Sequence, residues 1–279
     1  MVLRCAFTDN LASPILEPAA GEGGGVNVAG ESDPTFVNCL FLDNFANEGG
    51  GFHAEAENNG GFIGVSSATL INCLFVRNEA MKHGGAIDVG SKHPAELNVF
   101  NCTFVQNTAG DVGPGAGGGA FWIEDPEDPG PTVLITNCIL WDDFPNEIKT
   151  IGGTIIVRFT NIEGGVEPGW NDGDNINSAP IFGPGIDNFR LAGGSRGIDE
   201  GNNADVPCDA FDVDQNGEGC DPDPIQDTPD LDLGDRIVSG TVDMGAYESV
   251  PCPWDLDGNC DVGIGDLLIC WPTGATRMA

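Results

Sequence analysis

A seven-residue pattern, Asn-Cys-x-Phe-x-x-Asn, recurs along the first half of the chain and constrains the fold more than any other feature. It reads Asn38-Cys39-Leu40-Phe41-Leu42-Asp43-Asn44, then Asn72-Cys73-Leu74-Phe75-Val76-Arg77-Asn78, then Asn101-Cys102-Thr103-Phe104-Val105-Gln106-Asn107. Weaker copies sit at residues 5–10 and at Asn137-Cys138-Ile139-Leu140. A glycine-rich restart follows each of the first four, at Gly23-Gly24-Gly25-Val26, Gly49-Gly50-Gly51-Phe52, Gly84-Gly85-Ala86-Ile87 and Gly118-Gly119-Ala120-Phe121. The five cysteines are 34, 34, 29 and 36 residues apart, as expected of stacked units with a constant core and variable loops.

Strand periodicity places Val37, Cys39 and Phe41 on one face, and likewise Ile71, Cys73, Phe75 and Phe100, Cys102, Phe104. One such strand cannot bury that face alone. Equivalent strands stacked in parallel, about 4.8 Å apart, build a continuous core of like on like. Asn44, Asn78 and Asn107 fall where the chain must turn; asparagine tolerates the left-handed region there, and stacked amides can bond from rung to rung. Cys5, Cys39, Cys73, Cys102 and Cys138 should form a column of free, buried thiols. Their Cα atoms would lie at disulfide range, but their parallel Cβ vectors stand too far apart. Residues 154–161 read as one more strand. Helix signals are almost absent, which argues against a doubly wound α/β fold.

Asp and Glu number 44 against 10 Lys and Arg, a formal net charge of −34. Such a surface repels nucleic acid and anionic membranes and attracts divalent cations. The chain is 40% hydrophobic with glycine in register, so order is expected despite the charge. No apolar run approaches the ~20 residues of a membrane helix, so membrane insertion is not expected. No basic and apolar leader precedes residue 10, and the pattern is already under way at Cys5. We therefore expect the N-terminus to be incomplete.

The alternation of Phe-x-x-Asn (Phe7 to Asn10, Phe41 to Asn44, Phe75 to Asn78, Phe104 to Asn107) with Gly-Gly-Ala/Gly-apolar resembles the repeats of polymorphic outer-membrane adhesins. More broadly it resembles the right-handed β-helix region of bacterial surface proteins. The resemblance covers about residues 1–165. It implies an all-β, right-handed parallel β-helix (a solenoid), secreted or held at the cell surface. Residues 178–248, with Pro180-Ile181-Phe182, Phe189-Arg190-Leu191-Ala192-Gly193-Gly194-Ser195 and Val242-Asp243-Met244-Gly245-Ala246-Tyr247-Glu248, resemble the domain that closes many bacterial β-helices ahead of C-terminal anchors. The expected organisation is repeats over 1–165, an acidic, loop-rich cap over 166–250 and a short tail over 251–279.

Two acidic loops are candidate calcium sites. In the first, Asp212, Asp214, Asn216, Glu218 and Asp223 place oxygens around the Gly217 turn, as a hard cation requires. Cys208 and Cys220 flank it and could close it by a disulfide. In the second, Asp255, Asp257, Asn259, Asp261 and Asp266 occupy the first, third, fifth, seventh and twelfth positions, with apolar Val262 eighth. This loop resembles a dockerin-type half-repeat, a relative of the EF-hand. By that match Asp255, Asp257, Asn259 and Asp266 would supply side-chain ligands and Asp261 a carbonyl. Cys260 stands where the family has glycine. A complete dockerin has two such loops, so a cohesin-type partner is not expected. Pairing among Cys208, Cys220, Cys252, Cys260 and Cys270 stays open.

No set of catalytic residues stands out. Positive charges in the repeats (Arg4, Arg77, Lys82, Lys92, Lys149, Arg158) do not recur in register, and the polygalacturonase pattern of paired Asp with Gly-His-Gly is missing. Lys82-His83, Asp88 and Lys92-His93 form the best local cluster, with His83 and His93 expected in exposed loops. Asp142 and Asp143 should face opposite ways. Phe45, Trp122, Trp141 and Trp170 could stack on sugar rings. The expectation is a monomeric binding or adhesion protein for polysaccharide or surface glycans, calcium-stabilised at its C-terminal end. The alternative is a polysaccharide lyase or glycoside hydrolase. Carboxylates and basic groups gathered in one groove would favour the enzyme; a groove of Gly, Asn and aliphatics would favour adhesion.

Overall fold

The structure is a computed structural model. It describes residues 1–12, 21–55, 66–90, 95–110, 117–124, 130–170, 173–209, 212–213, 220 and 228–249, with the backbone of 58–59 and 62–63. The repeats wind into a right-handed parallel β-helix whose first five turns each contribute one strand to each of three stacked sheets, a sixth turn extending the first two. The first sheet stacks Val2–Leu3, Thr35–Val37, Ser66–Ile71, Ala95–Phe100, Thr132–Thr136 and Thr154–Arg158. The second stacks Ala6–Thr8, Leu40–Leu42, Leu74–Val76, Thr103–Val105, Ile139–Trp141 and Asn161–Ile162. The third stacks Val26–Ala29, Phe52–Glu55, Ile87–Gly90, Phe121–Glu124 and Ile148–Ile151.

Identical residues meet in register. Phe7, Phe41, Phe75 and Phe104 pair from strand to strand. The rings of Phe41 and Phe75 stack at 4.3 Å and those of Phe75 and Phe104 at 4.8 Å. Cys39, Cys73, Cys102 and Cys138 are free and buried in the same core, as expected, while Cys5 in the first rung is exposed.

The strand expected to run from Val37 through Phe41 is broken. Asn38 takes φ 53°, and Asn72, Asn101 and Asn137 take 51°, 52° and 54°. This left-handed residue turns the corner between the first and second sheets and resets the alternation. Cys39 and Phe41 therefore enter the core, while Val37 and Ile71 face outward against Val213. The turn after each Phe differs from expectation too: Asp43, Arg77 and Gln106 carry the positive φ, not the asparagines beside them. Asn44, Asn78 and Asn107 point inward and form the amide ladder. Asn10, Asn44 and Asn78 each donate through Nδ2 to the next Asn Oδ1, and Asn107 Nδ2 ends the series on Asp143 Oδ1, at 2.8, 2.9, 2.9 and 2.8 Å.

Val166 and Trp170 pack against the core at the last rung. The chain then returns along the flank. Phe182, Phe189, Leu231, Ala246 and Tyr247 cover outward-facing Leu40, Leu42, Leu74, Val76 and Val105 of the second sheet. The corner asparagines anchor this return: Asn38 Nδ2 donates to Asp230 O and Asn72 Nδ2 to Pro229 O, both at 2.6 Å. Asn137 exchanges two bonds with Asn202, and Thr103 Oγ1 accepts from Ala246 N at 2.9 Å. Cys208 and Cys220 form a disulfide. Among the described residues the only helix is the 3-10 turn Asn203–Asp205, and no helix is long and apolar enough to cross a membrane.

Candidate functional site

The third sheet points Phe52, Ala54, Ile87, Val89, Phe121 and Ile123 into the core. The residues between them face outward, and in register they read Asn27, His53, Asp88, Trp122 and Lys149. An outward position on a solenoid is ordinarily solvated, yet His53, Asp88 and Trp122 are 1%, 3% and 5% exposed. The turn leading into the sheet contributes to their cover. Glu22 pairs with Glu48 across rungs, and the next rung places His83 beside them, each immediately before a glycine of positive φ: Gly23, Gly49 and Gly84. At Gly84 a Cβ would lie 2.7 Å from Asp88 Cβ, so only glycine lets the turn fold back this tightly over the sheet.

Nine side chains thus gather on one patch. His83 Nδ1 lies 2.6 Å from Asp88 Oδ2, and the His83 ring stacks on Trp122 with centroids 4.3 Å apart. Trp122 Nε1 donates to Glu124 Oε2 at 3.1 Å, and Lys82 Nζ donates to Glu48 Oε1 at 2.6 Å. His53 lies between the rows. Its Nδ1 is 3.5 Å from Asp88 Oδ1, and its Nε2 is 3.9 Å from Glu22 Oε2 and 3.8 Å from Glu55 Oε2. Neither ring nitrogen makes a hydrogen bond.

The charges follow from burial and proximity. Burial pushes the Asp88 carboxyl up, although His83 and His53 pull it down, and burial likewise raises Glu22 against the pull of His53. Burial presses both histidines towards neutrality, but Glu55, Asp88 and Glu22 outweigh it at His53, and Asp88 outweighs it at His83. Both rings therefore hold a proton above the usual histidine range.

The oxygen and nitrogen donors divide into two groups with metal-ligating spacing, Glu22/His53/Glu55 and Glu48/His83/Asp88. The second also has the form of a histidine base oriented by a buried carboxylate.

Residues 2–125 match the family model of the right handed beta helix region. No curated protein and no solved structure matches the chain. The matched stretch contains every member of the patch.

His83 and Asp88 were legible as a cluster, but His83 lies in a half-buried stack rather than in an exposed loop, because Trp122 of the next rung lies beneath it. Lys92 and His93 lie outside the described residues. Glu22, Glu48, His53 and Glu55 were missed, although aligning the glycine restarts puts Glu22, Glu48 and His83 in one column and Asn27, His53, Asp88 and Trp122 in another. Trp122 is engaged with His83, Trp141 packs on the flank and Trp170 on the core end, so packing occupies all three. Asp142 is exposed and Asp143 buried, but they lie past the strand, which ends at Trp141, in a turn where Asp142 takes φ 62°. Of the calcium candidates, Asp212 lies in the return segment at φ 50°. Asp214, Asn216, Glu218, Asp223, Asp255, Asp257, Asn259, Asp261 and Asp266 lie outside the described residues.

Proposed function

We propose that this chain is a secreted or cell-surface β-helix protein that binds an extended, hydroxyl-rich glycan across the outer face of its third sheet. The observation that carries this is the concentration of buried histidines and carboxylates at one place on an otherwise repetitive solenoid. Taking such groups out of water costs free energy, and the stacking of the rungs does not require these as it does the asparagine ladder. The Cys208–Cys220 disulfide supports an oxidising compartment. The test is retention on immobilised neutral and acidic polysaccharides. Wild type should be retained, and Glu48→Gln/His83→Gln should lose at least tenfold in affinity; equal retention of both proteins would sink the proposal.

The patch gathers Lys82, His53 and His83 with Glu22, Glu48, Glu55 and Asp88, the arrangement that favours catalysis. It supports a second reading, a polysaccharide-degrading enzyme using His83, held by Asp88, as base. New reducing ends or unsaturated uronates released by wild type, and not by His83→Gln, would decide for it.

Calcium at the acidic loops 212–223 and 255–266 rests on their oxygen spacing. Chelator should lower the thermal midpoint by several degrees, and Asp255→Ala/Asp266→Ala should remove part of that response. A melting curve indifferent to chelator would withdraw calcium.

A further inference from the structure

We propose that Glu22, His53 and Glu55 bind a zinc-class dication, with Asp88 orienting the histidine. This is separate from the calcium loops and stands whether or not the same face takes a glycan. His53 is 1% exposed, and both ring nitrogens lack a hydrogen bond although three carboxylates surround the ring. A histidine buried merely as an ion-pair partner would close to hydrogen-bond distance, about 2.7–2.9 Å. Here the Nε2 separations are 3.9 Å to Glu22 and 3.8 Å to Glu55. A tetrahedral ion with bonds of about 2.1 Å holds its ligands roughly 3.4 Å apart, so each carboxylate needs to close on Nε2 by only about half an ångström.

The other face of the ring supplies the supporting contact. A ligating histidine commonly directs its second nitrogen at a carboxylate, which fixes its orientation and raises its basicity. Asp88 Oδ1 stands 3.5 Å from His53 Nδ1, and Asp88 is itself held by His83 at 2.6 Å. Glu48, His83 and Asp88 make the poorer metal site, because Glu48 is bonded to Lys82 and His83 to Asp88. A nitrogen donor in the set disfavours calcium and magnesium, which select oxygen. Three protein ligands leave a fourth position for water or for a hydroxyl or carboxylate oxygen.

The test is calorimetric titration of the chelator-stripped full chain with Zn²⁺, with bound metal counted by elemental analysis and Co²⁺ absorption as a second readout. Wild type should take up one tight equivalent and give a tetrahedral Co²⁺ spectrum. Glu22→Gln/Glu55→Gln should weaken Zn²⁺ at least 100-fold, and Asp255→Ala/Asp266→Ala should leave it unchanged. Asp88→Asn should weaken it 10- to 100-fold and shift the Co²⁺ bands, as a positioning residue would. His53→Gln should abolish the spectrum. If that buried variant fails to fold, the half-exposed glutamates decide the matter. Undiminished binding in a folded Glu22→Gln/Glu55→Gln protein, or no tight equivalent in wild type, overturns the proposal.

Discussion

Replacing Asn78 by alanine is expected to destabilise the protein by on the order of 4 kcal/mol, a large fraction of the ~5–15 kcal/mol typical of a folded domain. Asn78 Oδ1 accepts from both the backbone N–H and Nδ2 of Asn44, at 3.2 and 2.9 Å. Its Nδ2 donates to Phe41 O at 2.8 Å and to Asn107 Oδ1 at 2.9 Å. Alanine would remove all four bonds in a place water does not reach. Asn44 Nδ2 keeps Phe7 O, and Asn107 Oδ1 keeps the backbone N–H of residue 78. Asn44 N–H and Phe41 O therefore bear the loss, each at roughly 1–3 kcal/mol. Asn10, at the exposed start of the ladder, uses its side chain only to donate, through Nδ2 to Asn44 Oδ1. Asn10→Ala should therefore cost a small fraction as much. Urea denaturation midpoints of the two variants check this, and equal losses would mean that the ladder is not what holds the rungs in register.

The second large effect lies where that ladder ends. Asp143 accepts from Asn107 N–H and Nδ2 at 2.6 and 2.8 Å, and Glu147 Oε1 accepts from Asp143 N–H at 3.3 Å. Asp143 Oδ2 and Glu147 Oε2 are buried without a partner, and Asp142 and Glu163 add negative charge nearby. Burial pushes Asp143 up to about 7, and burial together with the Asp143 charge pushes Glu147 higher still. The sign follows. Below about pH 4 both groups carry protons in folded and unfolded chains alike. As pH rises towards 7 the unfolded chain releases protons that the folded one retains, so stability falls. The loss should reach a few kcal/mol, roughly 1.4 kcal/mol per pH unit per retained proton at most. Asp143→Asn keeps an amide oxygen for Asn107 and removes one of these titrations. It should raise the melting temperature at pH 8 and flatten its decline between pH 5 and 8. The comparison belongs at high salt, where the −34 surface is screened and contributes less. An unchanged slope in Asp143→Asn would assign the pH dependence elsewhere, for instance to buried Glu248, also raised by burial.

The stacking core was legible because identical residues in register are a sequence-level signal. Phe41, Phe75 and Phe104 announce their own contacts, as do the buried thiols beside them. The corner at Asn38 was not legible, because a period-two pattern carries no mark of the one residue that leaves the extended region. Val37 and Cys39 alternate correctly as letters and part company in space only through the backbone of the residue between them. The site was half legible. His83 and Asp88 are five residues apart and invite association, whereas His53 reaches Asp88 only through the parallel register of strands a full turn apart. The path of the return segment was illegible, since its anchors are asparagine amides on main-chain carbonyls, and a carbonyl has no sequence signature.

That return segment has a consequence for how such a chain can change length. Between Pro229 and Ala246 it touches Asn38, Asn72, Thr103 and Asn137, one grip on each of four successive rungs. It is in effect a ruler laid along the stack, with graduations at the spacing of parallel strands. Duplicating or deleting a rung inside that span would throw every later graduation out of phase, whereas a rung added before Asn38 would leave the marks aligned. The solenoid can thus grow at one end while its gauged middle is held to a fixed count.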